Sequence, residues 1–266
     1  MNLRHLFVDR FGNPLILKRL MILVFGLYTY PRFNIRNKTI IRGSEILHRL
    51  PKKNVLFVSN HQTYYADVAA FFHIFSSARW GFKNTIRYPF FLLNPVLHLY
   101  FVAAKETMES GLLPRIFKLA GSVSVKRTWR EKGQEIQREV DQKDPDNISK
   151  ALGDGWVITF PQGTTKPFVA GRKGTAHLIR NTRPIVVPIT IDGFRRAFDK
   201  KGILLKGRNV QLKVQIKDPL DIDYEAPVED ILDQIMHSIE QTPEFNLMGQ
   251  IGEPKDEISS KRDSWY

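Results

Sequence analysis

One stretch, residues 55–67, constrains the fold of this chain more than any other, and its sequence is VLFVSNHQTYYAD. The first five residues form a short apolar run that is typical of a buried strand. The polar pair Asn60-His61 follows immediately, and a helical pattern occupies residues 67–77. His61 is therefore predicted at the junction of a strand and a helix, where α/β sheets place their ligand sites.

The spacing between His61 and Asp67 adds a geometric constraint. Residues six apart on a continuous helix are rotated by about 240° and cannot face each other, so the chain between them must turn if they are to meet. A loop followed by a first helical turn that holds Asp67 satisfies this, and the helix dipole then favours the carboxylate. Such a carboxylate fixes the imidazole tautomer and leaves the second ring nitrogen as a base. The alternative is a polar loop with an N-terminal helix cap.

Length and composition limit the classes of protein that this chain can represent. With 266 residues it can bury a full core without a second domain. It has no cysteine, and no His, Asp or Glu grouping shows metal-ligand spacing, so no metal is predicted. The formal net charge of +13 favours an anionic partner. A nucleic acid is not predicted, because zinc-finger spacing, RNA-binding aromatic motifs and a basic zipper are all missing.

The positive charge is concentrated near the N-terminus, where the first fifty residues contain nine Lys or Arg and two acidic residues. Residues 15–30 are strongly apolar, but Lys18 and Arg19 interrupt them, and the remainder at 20–28 is too short to span a bilayer. An interfacial helix with aromatic and basic anchors on an anionic membrane is predicted. The alternative is an ordinary helix that packs on the core.

Strand and helix patterns alternate along the rest of the chain. This alternation predicts an α/β fold with a mainly parallel mixed sheet flanked by helices. Residues 88–102 are apolar but contain two prolines, so they are not one continuous helix. Three interpretations of this stretch are open: it lines a tunnel for a hydrocarbon chain, it lies in the membrane, or it belongs to the core. Strand patterns occupy residues 38–42, 121–127, 156–160, 185–191 and 210–216, and helix patterns occupy 171–180 and 228–239.

Taken in order, the motifs resemble those of the 1-acylglycerol-3-phosphate acyltransferase family from about residue 55 to 191. Asn60-His61 with Asp67 resembles its NHxxxxD block, and residues 160–164, FPQGT, resemble its FPEGT block. Residues 121–127 resemble a second block, a glycine-led strand that ends in Arg127. Lys173-Gly174 and Val187-Pro188-Ile189 resemble the later KG and VP blocks.

The resemblance implies a role for each matching residue. It makes His61 the general base and Asp67 its orienting partner, and it places Arg127 against an acceptor phosphate. Gly163 and the neighbouring backbone N–H groups would hold that phosphate or the developing oxyanion. The residues assigned in this way to acceptor binding are Arg127, Gln162, Gly163, Thr164 and Lys166.

The implied function is that of an O-acyltransferase with a glycerolphosphate-acyltransferase-like fold and no cofactor. It would move a fatty acyl group from a thioester of coenzyme A or acyl carrier protein to the hydroxyl of a lysolipid, 1-acyl-sn-glycerol-3-phosphate by default. A hydroxyl needs a positioned base, and the tetrahedral intermediate needs preorganised donors.

The same resemblance implies a peripheral or monotopic membrane protein with its active site on the cytoplasmic side. The expected organisation is a basic apolar membrane-associating segment at residues 1–32 and an acyltransferase domain at 33–240. A polar tail at 241–266 has no clear periodicity and is expected to be partly disordered.

Two departures from the family pattern fall in the predicted acceptor pocket. Gln162 stands where the family has glutamate, and Thr165 stands where an arginine often follows the threonine. A lyso-amino-acid lipid or a glycolipid is therefore an alternative acceptor. A non-catalytic lipid-binding relative is the alternative to an enzyme.

Overall fold

The computed structural model describes residues 7–105, 119–125, 130–131, 134–135 and 143–246. The strands within these ranges are β1 Lys38–Arg42, β2 Val55–Ser59, β3 Leu99–Ala104, β4 Ser122–Val125, β5 Arg130–Glu131, β6 Gln134–Glu135, β7 Trp156–Thr159, β8 Ile185–Asp192 and β9 Gln211–Ile216. The α-helices are α1 Leu15–Asn34, α2 Ala66–Arg79, α3 Lys143–Leu152, α4 Lys173–Thr182, α5 Phe194–Ala197 and α6 Val228–Ser238. Short 3-10 helices span Ser44–His48, Pro89–Leu93 and Pro243–Phe245.

Seven strands of the described part of the chain form one sheet in the order β1-β9-β8-β2-β7-β3-β4, and β5 pairs with β6 separately. Every neighbouring pair within those seven strands is parallel except β8 and β9, which are antiparallel. This arrangement confirms the predicted α/β class with a mainly parallel mixed sheet. The parallel strands β2, β7, β3, β4 and β8 all end at the same edge of the sheet, so the residues that follow them are brought together.

Alternation along β2 divides the core between the two faces of the sheet. Phe57 packs on the α2 side, where its ring centroid lies 4.7 Å from that of Phe75. Leu56 and Val58 point to the opposite side and join a cluster formed with α3, α4 and α6. A strand buried on both faces has a continuous apolar sequence, which explains why β2 shows no polar alternation.

The apolar stretch at 88–102 is not one helix, as its prolines predicted. The 3-10 helix Pro89–Leu93 comes first, and β3 begins at Leu99. Phe91 and Leu92 are buried, whereas Phe90 and Leu93 are exposed. The stretch therefore belongs partly to the core and partly to the surface.

Helix α1 turns an apolar stripe outward. Its buried positions are Lys18, Ile22, Gly26 and Phe33. Gly26 allows close packing on the Pro89–Leu93 helix, since an added Cβ would lie 2.4 Å from Leu92 Cδ2. Within the described residues, no helix is both long and apolar enough to cross a membrane. The exposed apolar residues of the stripe are Ile16, Leu17, Leu20, Val24, Leu27 and Tyr28.

Candidate active site

The candidate site lies at the sheet edge where the parallel strands end. His61 follows β2, and the loop of residues 160–166 follows β7. The two strands are hydrogen-bonded neighbours, with Val58 paired to Thr159. The chain segments that carry the predicted base and the predicted acceptor-binding residues therefore start side by side.

His61 and Asp67 are in direct contact, as their spacing predicted. His61 Nδ1 lies 2.9 Å from Asp67 Oδ2, and the His61 side chain retains 13% of its accessible surface. Because a carboxylate only accepts hydrogen bonds, Nδ1 carries the proton and donates it. Nε2 is then left with a lone pair that can accept a proton from a hydroxyl group.

Asp67 is fully buried at the start of α2 and is held in place from several directions. Its Oδ2 also accepts from the backbone N–H groups of Gln62 at 2.6 Å and Thr63 at 3.0 Å. Its Oδ1 accepts from the Thr63 hydroxyl at 2.7 Å. These donors, together with the N-terminal end of the helix, compensate the loss of water around the carboxylate and fix its orientation.

The residues on either side of His61 attach its loop to the end of β8. Asn60 Nδ2 donates to Ile191 O at 2.9 Å, and Ile191 N donates to Asn60 Oδ1 at 2.8 Å. Gln62 Nε2 donates to the same carbonyl at 3.1 Å. The backbone of His61 is therefore anchored before the imidazole makes any contact with a ligand.

The loop between the histidine and the aspartate is one residue longer than the NHxxxxD pattern, because five residues separate His61 from Asp67. The longer loop is supported from outside. The backbone N–H groups of Tyr64 and Tyr65 donate to the carbonyls of Lys200 and Lys201. The turn at 199–204 thus accepts the hydrogen bonds that the additional residue would otherwise leave to water.

Phe160 brings the β7 loop against the imidazole. Its ring stacks on His61 with centroids 3.9 Å apart and planes inclined by 22°. Phe160 is also stacked on Phe71 of α2, with centroids 6.5 Å apart. The aromatic wall restricts rotation of His61 and shields one face of the ring from water.

Gln162 is buried and acts as a donor. Its Nε2 lies 2.9 Å from Val169 O and 3.2 Å from Gln241 Oε1, and Gln241 Oε1 also accepts from Phe168 N. Glutamate at 162 would set a carboxylate against two acceptor oxygens. We therefore expect Gln162→Glu to be unfavourable in this chain, although glutamate is the residue of the family pattern.

The other residues predicted for the acceptor site form an open turn. Gly163 has a φ of 62°, and its N–H donates to Phe160 O at 2.9 Å, so this N–H is used within the turn. Thr164 Oγ1 accepts from Lys166 N at 3.3 Å, and the Lys166 side chain is exposed. Arg127 comes two residues after β4 and lies outside the described residues.

Arg195 is a further residue at this edge that the motifs did not identify. Its guanidinium Nη2 donates to His61 O at 3.2 Å and also to Thr165 O. The rule that drew attention to His61 applies here as well, since Arg195 follows the end of β8 by three residues. No sequence pattern, however, predicts contacts with residues 134 and 30 positions away.

Two other histidines, His73 and His98, have surroundings that differ from those of His61. His73 is a core residue, and burial lowers its pKa to about 3, so it is neutral at physiological pH. His98 Nδ1 lies 3.0 Å from Asp154 Oδ2 at the opposite edge of the sheet. Among the described residues, no group of three or more His, Asp or Glu side chains could hold a metal ion.

Comparison with known proteins identifies the family of the chain. The family profile described as Acyltransferase matches residues 38–192, which include every strand of the sheet from β1 to β8. No curated protein matches the sequence. Among solved structures, the chain is similar to the 1-acyl-sn-glycerophosphate (LPA) acyltransferase PlsC from Thermotoga maritima. Identity is 16%, the TM-score is 0.49, and the match covers 84% of this chain and 78% of that one.

Proposed function

The chain belongs to the acyltransferase family, and from that premise we propose that it transfers a fatty acyl group from a thioester to the hydroxyl of a lysolipid. The observation that carries the proposal is the contact between His61 and the fully buried Asp67. It supplies an oriented imidazole with one nitrogen free for a proton. A hydroxyl nucleophile needs that kind of base at neutral pH.

The reaction follows from that arrangement. His61 Nε2 accepts the proton of the acceptor hydroxyl while the oxygen attacks the thioester carbonyl. Asp67 stabilises the imidazolium through Nδ1–H. The tetrahedral intermediate collapses with cleavage of the carbon–sulfur bond, and the imidazolium returns the proton to the departing thiolate. The products are an ester and a free thiol, and no other cofactor is required.

The charge around the site favours an acceptor that carries a phosphate. Lys166 is exposed on the loop of residues 160–166, and Lys200 is exposed in the turn that supports the His61 loop. Cationic donors of this kind suit a phosphate. We therefore take 1-acyl-sn-glycerol-3-phosphate as the proposed acceptor, with Arg127 as a further phosphate contact. A lyso-amino-acid lipid or a glycolipid is the alternative.

A single assay tests the acceptor and the donor together. Purified protein is incubated with acyl-coenzyme A or acyl-acyl carrier protein and with each lysolipid in turn, and products are identified by mass spectrometry. We expect phosphatidic acid from 1-acyl-sn-glycerol-3-phosphate and no product with His61→Ala. Turnover confined to an aminolipid would overturn the proposed acceptor. The absence of product with every pair would overturn the enzyme assignment.

We also propose that the outward stripe of α1 lies on the membrane that contains the acceptor, as in a peripheral or monotopic protein with its active site on the cytoplasmic side. The exposed Phe90 and Leu93 adjoin α1 through the packing of Gly26 on Leu92. Arg32 stacks 3.8 Å over the Tyr28 ring. Apolar side chains flanked by aromatic rings and cations are typical of an interfacial helix.

The membrane proposal is best tested by point substitution, because Ile22 and Phe33 are buried and deleting α1 would remove core residues. Leu20→Gln combined with Val24→Gln should weaken binding to vesicles of anionic phospholipid. Leu204→Gln provides a control, since Leu204 is also exposed but lies far from α1 in the sequence. Equal vesicle binding by the double variant and the control in a sedimentation assay would argue against this surface.

A further inference from the structure

Arg195 is positioned by the turn that follows β8. The strand ends at Asp192, Gly193 adopts a φ of 91°, and α5 begins at Phe194. A φ in this range favours glycine, so the sharp turn is encoded locally. The turn directs the Arg195 backbone N–H at Gln62 Oε1, 3.3 Å away, which places the residue beside the His61 loop.

The guanidinium joins by hydrogen bonds the two loops that also meet where Phe160 stacks on His61. Its Nη2 donates to the carbonyl of His61, the proposed base, and to that of Thr165, in the proposed acceptor loop. Arginine suits this position because its planar group holds several donors in a fixed geometry. The contacts are to backbone atoms, so they act on the position of each loop and not on one side chain.

The surroundings of Arg195 are consistent with a charged group that is held in place. The side chain is partly buried, and that burial lowers its pKa, while Asp67 and Asp192 act in the opposite direction. An arginine remains protonated in proteins under ordinary conditions. The cation therefore lies in the electrostatic field of the carboxylate that orients His61.

We propose that Arg195 is a positioning residue for acyl transfer, which fixes the separation between the His61 loop and the loop of residues 160–166. The inference rests on the proposed function, since it assigns a role at the same site. Proton transfer needs heavy atoms within hydrogen-bond reach. A misplacement of about 1 Å can cost about 10²-fold in rate, so loss of the bridge should lower kcat more than it changes KM.

Arg196 offers a matched control on the next position of α5. It is exposed, and within the described part of the chain the hydrogen bonds of its guanidinium go to Asp192, at 2.9 Å, and not to either loop. We expect Arg195→Met to lower kcat by about 10- to 100-fold with the KM of the acceptor changed by less than about threefold. Arg195→Lys, which retains a cation with N–H donors, should recover part of the rate, and Arg196→Met should equal the unmodified protein.

Two kinetic outcomes would overturn the proposal. The first is an equal loss in Arg195→Met and Arg196→Met, which would indicate a general effect of charge. The second is a rise in the acceptor's KM with kcat intact, which would make Arg195 a binding contact.

A second measurement is independent of activity. Amide hydrogen exchange at residues 160–168 should be faster in Arg195→Met than in Arg196→Met, because the bridge to Thr165 is lost. If exchange is faster in Arg195→Met but the unmodified protein acylates none of the acceptors, the proposed function is overturned, while the inference that Arg195 holds the two loops together stands. Unchanged exchange in an active chain would overturn the role of Arg195 alone.

Discussion

The described part of the chain contains two histidine–aspartate pairs of nearly equal geometry at opposite edges of the same sheet. His61 Nδ1 lies 2.9 Å from Asp67 at the ends of the parallel strands, and His98 Nδ1 lies 3.0 Å from Asp154 at their beginnings. The same ring atom faces the carboxylate in both pairs. A distance between an imidazole and a carboxylate therefore does not by itself identify a base.

The pairs differ in what else holds each carboxylate. Asp67 is bound by backbone N–H groups and one hydroxyl of its own loop. Asp154 instead accepts from the Tyr100 hydroxyl and lies 3.7 Å from Arg10 Nε. Burial tends to raise the pKa of Asp154, but hydrogen bonds from His98 and Tyr100 together with the charges of His98 and Arg10 outweigh it, so the pKa is lowered. Asp154 thus links separate segments, whereas Asp67 orients one ring.

The largest contrast is expected from removing each imidazole. His61→Ala should lower the rate of acyl transfer by about two to four orders of magnitude, because it removes the proposed base. His98→Ala should leave kcat within about twofold, since His98 lies at the far edge of the sheet. Steady-state kinetics on matched preparations compares them. A comparable loss of kcat in both variants, with both folded, would erase the distinction between the pairs.

The second contrast concerns Lys18, which is buried beside the Asp154 pair with its Nζ 3.2 Å from Leu99 O and 4.4 Å from the Tyr100 ring centroid. Burial lowers its pKa from 10.5 to about 8. The unfolded chain therefore binds the proton more tightly. Burying the charged ammonium therefore lowers the free energy of unfolding. This destabilisation is fully present below about pH 8, shrinks as pH rises, and is lost near pH 10.5.

Lys18→Met keeps the length of the side chain and removes this cost. At pH 7 it should raise the free energy of unfolding by about 1–3 kcal/mol, after allowance for the lost hydrogen bond. The gain should shrink as pH approaches about 10. Denaturant unfolding of both proteins across this range measures it. A variant that is less stable at pH 7 would mean that the ammonium stabilises the fold.

The smallest effect is expected from Asp154→Asn. The amide keeps the shape but cannot accept equally well from His98 and Tyr100, so the free energy of unfolding should fall by about 1–2 kcal/mol. The rate should stay close to that of the unmodified protein. Asp67→Asn should show the reverse pattern, with a severe loss of rate. Melting temperature and kcat measured on both variants test this contrast between a loss of stability and a loss of rate. A loss of rate in Asp154→Asn would contradict it.

The His61–Asp67 contact and the fold class were predictable because their signals are local. The strand, the turn and the first helical turn all lie within residues 55–67. The roles assigned to Gly163, Thr164 and Lys166 stay predictions. The additional loop residue was compatible with the contact because the 199–204 turn supports it, which no local pattern shows.

Lys18 shows why other features could not be predicted. In the sequence it interrupts the apolar run of a predicted interfacial helix, but it lies on the buried face of α1. Its acceptor, Leu99 O, is 81 positions away. Gly121, which leads β4, leaves room for the ammonium, since an added Cβ would lie 2.6 Å from Lys18 Nζ. Arg195 depends on tertiary partners in the same way.

The pairing of β1 with β9 has a consequence for how the chain is made. Lys38 is in register with Gln211, so an edge of the sheet joins a strand near the N-terminus to β9, the last strand in the described ranges. At about 5–20 residues per second, the ribosome needs roughly ten to thirty-five seconds to supply that partner. Until then β1 has no strand beside it, and once β8 has been made its edge is open to other chains until β9 follows. Chains that stop before residue 211 are therefore expected to aggregate instead of persisting as smaller folded enzymes.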